Sequence, residues 1–164
     1  METLVSLLQD STIATAIREG DILFPLIETI HVLALCLVVG SIMVVDLRLL
    51  GFATTDSPVQ RVINAIIPVT LCAFAVAVGA GGLLFISKAG KYLENGFFLA
   101  KLALIGAAGV NMAFFHLVTA RGLAEWGQQP KPPPGARIAG GVSLLLWISV
   151  VACGRCIGFT MPME

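Results

Sequence analysis

Five ionisable side chains lie well inside long apolar stretches of this chain: Glu28, His31, Lys101, His116 and Arg155. A titratable group in hydrocarbon is costly unless it is paired, so each of the five is a functional candidate by default. Both histidines of the chain are among them. A neutral imidazole ligates haem iron or copper, and a carboxylate or carbonyl commonly fixes a ligating imidazole through its other N–H. Lysine and arginine neutralise anionic groups such as propionates. Glu28 and His31 are spaced i, i+3, which puts them on one face of a helix.

The elements that must position these groups are apolar helices. The 164 residues are 57% hydrophobic and 12% charged, with a mean hydropathy of +0.95. A membrane span needs about 20 predominantly apolar residues. Four stretches qualify, at about 22–46, 62–87, 97–120 and 138–161. Short connections between them predict a single transmembrane domain over 1–164, an all-α integral membrane four-helix bundle. Formal net charge is zero, so no nucleic-acid partner is indicated.

Residues 3–18 scatter Leu4, Leu7, Leu8, Ile13 and Ile17 among polar residues, which suits a short N-terminal helix lying at the interface. Acidic Glu2 and Asp10 precede the first basic residue, Arg18, and no long apolar run comes before it, so this is not a signal peptide. Asp46 and Arg48 mark the water interface at the end of the first span, and Gly51 stops the helix. Residues 54–58 predict a turn. The run QQPKPPPG at 128–135 is an extended spacer or a docking strip. Ala73, Ala77 and Gly81, flanked by Gly79 and Gly82, form a small-residue stripe for close helix packing or close approach of a flat cofactor. Loop charges Arg48, Arg61, Arg121, Lys131 and Arg137 outnumber Arg18, Lys88 and Lys91, which favours both termini on the periplasmic side.

In an alternating bundle Glu28 and Lys101 lie near the same end of parallel spans, and Arg155 returns to that level on the fourth. Glu28, His31, Lys101 and Arg155 therefore predict one polar cluster with an excess of positive charge. Such a pocket suits an anion, and haem joins two propionates to a large apolar disc. The alternative is an ion network that only sets helix registry. His116 lies deeper: at ~1.5 Å per residue its depth differs from that of His31 by about 15 Å. Two imidazoles on one iron, at metal–nitrogen distances near 2 Å, hold their α-carbons roughly 12 Å apart. One bis-histidine haem in one chain therefore needs a shift of register, and a second copy of the chain would remove the difficulty. Met112, one turn before His116, and Met43 on the first span offer a soft set for copper instead. His116 could also simply bond a carbonyl or Asn111. Cys36 and Cys72 read as filler. Cys153 and Cys156, spaced i, i+3 around Arg155, could bind metal or form a disulfide.

The run FPLIETIHVLALCLVVGSIMVVDLRLLG at 24–51 resembles the first-span signature of a family of short bacterial four-helix membrane proteins. Ile17-Arg18-Glu19 before it, Lys101, Asn111 and His116 in the third span, and Leu146-Trp147 with Gly154-Arg155 in the fourth fit the same pattern. The resemblance covers nearly the whole chain and implies no settled activity. The layout is similar to haem-b membrane cytochromes and to copper-resistance-type membrane proteins. Cys153 and Cys156 depart from the family pattern.

The reading that follows is a b-type cytochrome-like electron-transfer subunit of the bacterial inner membrane. His31 is its haem ligand and His116 a second one, Lys101 and Arg155 are its propionate partners, and Glu28 and Asn111 support them. The expected partners are lipid, a quinone or periplasmic redox protein, and further copies or subunits of a complex. The other reading is copper handling through Met43, Met112 and His116. A third is a structural membrane subunit.

Overall fold

The computed structural model describes residues 2–52, 58–127 and 132–160. Its helices are α1 (Glu2–Gln9), α2 (Thr12–Glu19), α3 (Leu23–Leu50), α4 (Val59–Ser87), α5 (Ala89–Glu94), α6 (Gly96–Leu117), α7 (Leu123–Trp126) and α8 (Pro134–Thr160), with a 3-10 turn at Thr119–Gly122 before α7. No strand occurs among the described residues. Helices α3, α4, α6 (with its 3-10 extension) and α8 are each long and apolar enough to cross a membrane. The protein is an all-α, multi-pass membrane bundle.

Local chemistry sets the helix ends. Gly51 takes φ 87°, a left-handed geometry that a side chain disfavours, and its N–H closes α3 on Arg48. Asn95 caps α6 by accepting the N–H groups of Phe97 and Phe98 through its side-chain oxygen. Pro134 occupies the first position of α8, where its missing N–H costs nothing. Pro68 sits inside α4. Two residues on, the Thr70 hydroxyl bonds the Ile66 carbonyl and also the Ser41 hydroxyl of α3, 2.7 Å away. The carbonyl that Pro68 leaves without its helical donor is that of Asn64, so the Thr70 hydroxyl ties α4 to α3 and does not mend the ladder.

Helix α3 is the hub. It packs against α4 on one side and α8 on the other, and α8 carries α6, while α4 and α6 do not pack closely along their lengths. Val38, Ala73, Ala108, Trp147 and Val150 form a middle core layer. A second layer at one end joins Val45, Leu49, Ile63, Phe115 and Trp126. The outward faces are apolar, with Val32, Leu33, Leu102, Val110 and Leu145 all exposed, as a hydrocarbon solvent requires. Helices α3 and α8 approach closely at Gly140. A Cβ there would stand 3.0 Å from the Leu49 Cβ and 3.1 Å from the Asp46 carbonyl oxygen.

Two expectations are corrected. The N-terminal segment is two helices instead of one, because the Ser11 side chain caps α2 by accepting the Ala14 N–H. Ala14 and Ile17 are buried as α2 docks on α4 and α3, so this segment lies on protein as well as at the membrane surface. Asp46 and Arg48 do not sit in water: they are 4% and 3% exposed. Helix α3 runs on to Leu50, and α8 packs on that end, with Gly140 against Leu49 and the Asp46 backbone and Ser143 bonded to the Asp46 carboxylate; the segment from Thr119 to Gly127 is tied to the start of α4. The Trp126 indole bonds the Thr119 carbonyl and the Val59 N–H bonds the Gly127 carbonyl. Most of the expected turn at 54–58, and residues 128–131 of the proline-rich run, lie outside the described residues.

Gly140→Ala is expected to lower the thermal midpoint in detergent, corresponding to about 1–3 kcal/mol of overpacking against backbone. Gly82, where an added Cβ meets nothing within 4 Å, is the control. Gly82→Ala is expected to leave the midpoint unchanged or raise it, since alanine is the better helix former by ~1 kcal/mol. Equal midpoints for the two variants would refute the close α3–α8 crossing.

Candidate functional site

The site is built around His31, which points from α3 across to α4. Its Nδ1 lies 2.8 Å from the Ala77 carbonyl oxygen. A carbonyl only accepts, so Nδ1 carries the proton and Nε2 keeps its lone pair, the tautomer a metal-ligating histidine needs. The ring rests over Gly81, where a Cβ would be 2.8 Å from the imidazole Cε1. The small-residue stripe on α4 therefore does two jobs. Ala73 and Ala77 are buried packing positions, and Gly81 opens the seat in which the imidazole lies.

Charged neighbours come from α3 itself and from α6. Glu28, one turn before His31, and Lys101 of α6 both lie within electrostatic reach of the imidazole. Lys101 spans the α6–α8 seam: its ammonium is 3.8 Å from where a Gly154 Cβ would sit and within reach of the Cys153 thiol. The expected convergence of Glu28, His31 and Lys101 is therefore present. Arg155 is at the rim of this end instead. It is exposed, with its guanidinium 4.8 Å above the Phe159 ring. Tyr92 on α5 joins the cluster unforeseen. It packs 5.1 Å from Phe98 and 6.2 Å from Phe85, and burial, then the Glu28 carboxylate, push its hydroxyl above the ordinary tyrosine range. Only its place in a short polar connection, one turn before the Asn95 cap, could have signalled it.

His116 lies at the other end. Phe115 beside it packs in the same core layer as Val45 and Leu49, and at ~1.5 Å per residue Val45 stands roughly 20 Å along α3 from His31. One iron in one chain cannot take both histidines. His116 is exposed, and its Nδ1 bonds the Met112 carbonyl at 2.9 Å. Met112 is exposed on α6 and Met43 on α3, with α8 packed against both helices, so the structure does not build the copper set as one pocket. Asn111 donates to the Ala139 carbonyl of α8 at 3.0 Å, a packing role. No group of three or more His, Cys, Asp or Glu side chains among the described residues could hold a metal ion.

Near that second end lies a polar group that sequence reasoning placed in water. Asp46 is buried and accepts a hydrogen bond from Ser143 of α8, while its Oδ2 has no hydrogen-bond partner among the described residues. The Asp-Leu-Arg spacing near a helix end reads as an interface marker. Nothing local distinguishes it from a buried one, since its neighbours Gly140 and Ser143 come from the distant helix α8.

The family model described as Family of unknown function (DUF6644) matches residues 15–160. No curated protein and no solved structure matches.

Tyr92 is the single tyrosine of the chain, so its ionisation can be read directly by ultraviolet absorbance. It is expected to titrate at higher pH in the folded protein than in denaturant, and Glu28→Gln is expected to bring it part of the way down. Because the folded value is raised, the linked stability is intact below the unfolded tyrosine pKa and is lost as pH rises through the folded one. A titration unmoved by Glu28→Gln would separate Glu28 from Tyr92. Ser143→Ala, which strips a buried carboxylate of its donor, is expected to cost about 1–3 kcal/mol in detergent unfolding.

Proposed function

We propose that this chain, which belongs to the family of unknown function DUF6644, is a membrane electron-transfer subunit that binds a b-type haem through His31. The observation that carries the reading is the way His31 is held. Its Nδ1–H is fixed by the Ala77 carbonyl, Gly81 leaves room for the ring, and Nε2 makes no hydrogen bond among the described residues. A fixed imidazole with a free Nε2, beside a lysine and near the end of a bundle, suits a haem whose propionates reach toward the headgroups.

In this reading His31 would hold the haem iron through Nε2, with the Ala77 carbonyl keeping the ring proton on Nδ1. Lys101 neutralises a propionate from α6, Arg155 on the rim does so from α8, and Glu28 balances their charge. Bound haem supplies one-electron chemistry between ferric and ferrous iron. His116, Asn111, Met112 and Met43 stand outside this site, so any second protein ligand to the iron would have to come from another copy of the chain or from a partner subunit. Electrons pass to or from a quinone in the membrane or a periplasmic redox protein. The chain resides in a bacterial inner membrane with both termini periplasmic. With Arg48 buried, that orientation rests on Arg61, Arg121, Lys131 and Arg137 against Arg18, Lys88 and Lys91.

The test is the visible spectrum of detergent-purified protein expressed with ample haem, oxidised and dithionite-reduced. Wild type is expected to show sharp reduced α and Soret bands, His31→Ala to lose them, and His116→Ala to keep them. Gly81→Ala, which presses a methyl into the imidazole seat, is expected to weaken haem retention at least tenfold without changing expression. Wild-type protein with no such bands would overturn the haem reading. Bands that survive His31→Ala but vanish in His116→Ala would move the ligand to the opposite end of the bundle.

A further inference from the structure

We infer that Cys153 and Cys156 are a redox-active dithiol near the end of α8, closing reversibly to a disulfide by exchange with an external disulfide, with Lys101 as its positioning cation. Both thiols are free and half-buried. Val150 and Ile157, one turn to either side of Cys153, are buried, so the Cys153 face of the helix looks into the bundle while Arg155 between the cysteines looks out. The Lys101 ammonium, arriving from α6, lies within reach of the Cys153 thiol and beside Gly154, whose missing side chain leaves it room. The end of α8 is held at this level by Thr160, which bonds the Cys156 carbonyl and accepts from Asn95 at the start of α6. This inference needs no haem and shares only Lys101 with the haem reading.

The spacing favours a labile bond over a structural one. Cβ atoms three residues apart on a helix are about 5–6 Å from each other, whereas a disulfide holds them near ~3.8 Å. Closure must draw that turn of α8 inward, and Gly154 and Gly158 flank Cys156 where the helix has to give. A disulfide closed under such strain is easily reduced. Cys156, one turn from the end of α8, is the thiol an external disulfide reaches first. Its thiolate attacks the disulfide and releases one thiolate, which takes up the proton Cys156 gave up. Cys153, beside Lys101, then gives up its proton and attacks the Cys156 sulfur, and the second thiolate that it expels takes up that proton. Two cysteine thiols and one external disulfide thus become one internal disulfide and two external thiols, with no other oxidant.

The experiment equilibrates the full chain in detergent with glutathione buffers from fully reduced to strongly oxidised, followed by acid quench, alkylation and peptide mass mapping. The expected result is loss of two hydrogens confined to the peptide holding Cys153 and Cys156, reversible with reduced glutathione, while Cys36 and Cys72 stay alkylated. Lys101→Gln is expected to slow closure on the order of tenfold and to accumulate glutathione on Cys156, and Lys101→Arg to restore the rate. Four alkylatable thiols in wild type across the whole series, or only bonds between chains, would overturn the inference without need of any variant. Closure at equal rates in wild type and Lys101→Gln would remove Lys101 from it. Because the map is read with or without haem, loss of the haem reading and loss of this one are separate results.

Discussion

Hydrocarbon offers no hydrogen bonds, and that constraint organises this bundle. A polar side chain on a spanning helix must find its partner on its own helix or on a neighbouring one, and here such bonds fall on the seams that pack. His31 to Ala77 and Ser41 to Thr70 join α3 and α4. Asn111 to Ala139 and Asn95 to Thr160 join α6 and α8. Ser143 to Asp46 joins α8 and α3. Helices α4 and α6, which do not pack along their lengths, share no such bond among the described side chains. Apolar contact between helices gains little over contact with lipid, so these few bonds and the close approach at Gly140 define which helix lies beside which.

The spans were legible because apolar length is a strong signal, and their ends differ from expectation by only a few residues. The polar cluster was legible in part. Glu28, His31 and Lys101 could be brought together by depth alone, since parallel helices convert residue number into height. Arg155 met the same depth criterion yet lies at the rim, because depth does not say which way a side chain turns around its helix. Asp46 and Arg48 failed for the opposite reason. Their position at a helix end indicated water, and the neighbours that bury Asp46 are Gly140 and Ser143 of α8, almost a hundred residues away in the chain. The split of the N-terminal helix was written locally in Ser11, a strong capping residue inside what reads as one amphipathic stretch.

Gly81 shows how a sequence feature can be read correctly in kind and incompletely in purpose. A small-residue stripe predicts close helix approach, and Ala73 and Ala77 provide it. Gly79 and Gly82 face open space, so the glycine-rich character of the segment is not all packing. At Gly81 alone does the missing side chain meet a specific group, and that group is an imidazole. Neither the stripe nor the lone histidine carries this by itself. It follows only when α3 and α4 are laid together in register.

That register bears on what His31 is for. A histidine kept only for packing is a poor choice in a membrane core, since its two nitrogens demand two partners and a leucine demands none. Here one nitrogen is satisfied by a backbone carbonyl and the steric room comes from a glycine, whose presence in a helix itself costs up to ~1 kcal/mol relative to alanine. The second nitrogen makes no hydrogen bond among the described residues. His116, by contrast, sits on an exposed face with its Nδ1 returned to its own helix, an arrangement needing no help from any other element. The two histidines are therefore unequal. At His31 two helices are shaped to hold one ring orientation, with Nδ1 on the Ala77 carbonyl and the ring seated over Gly81.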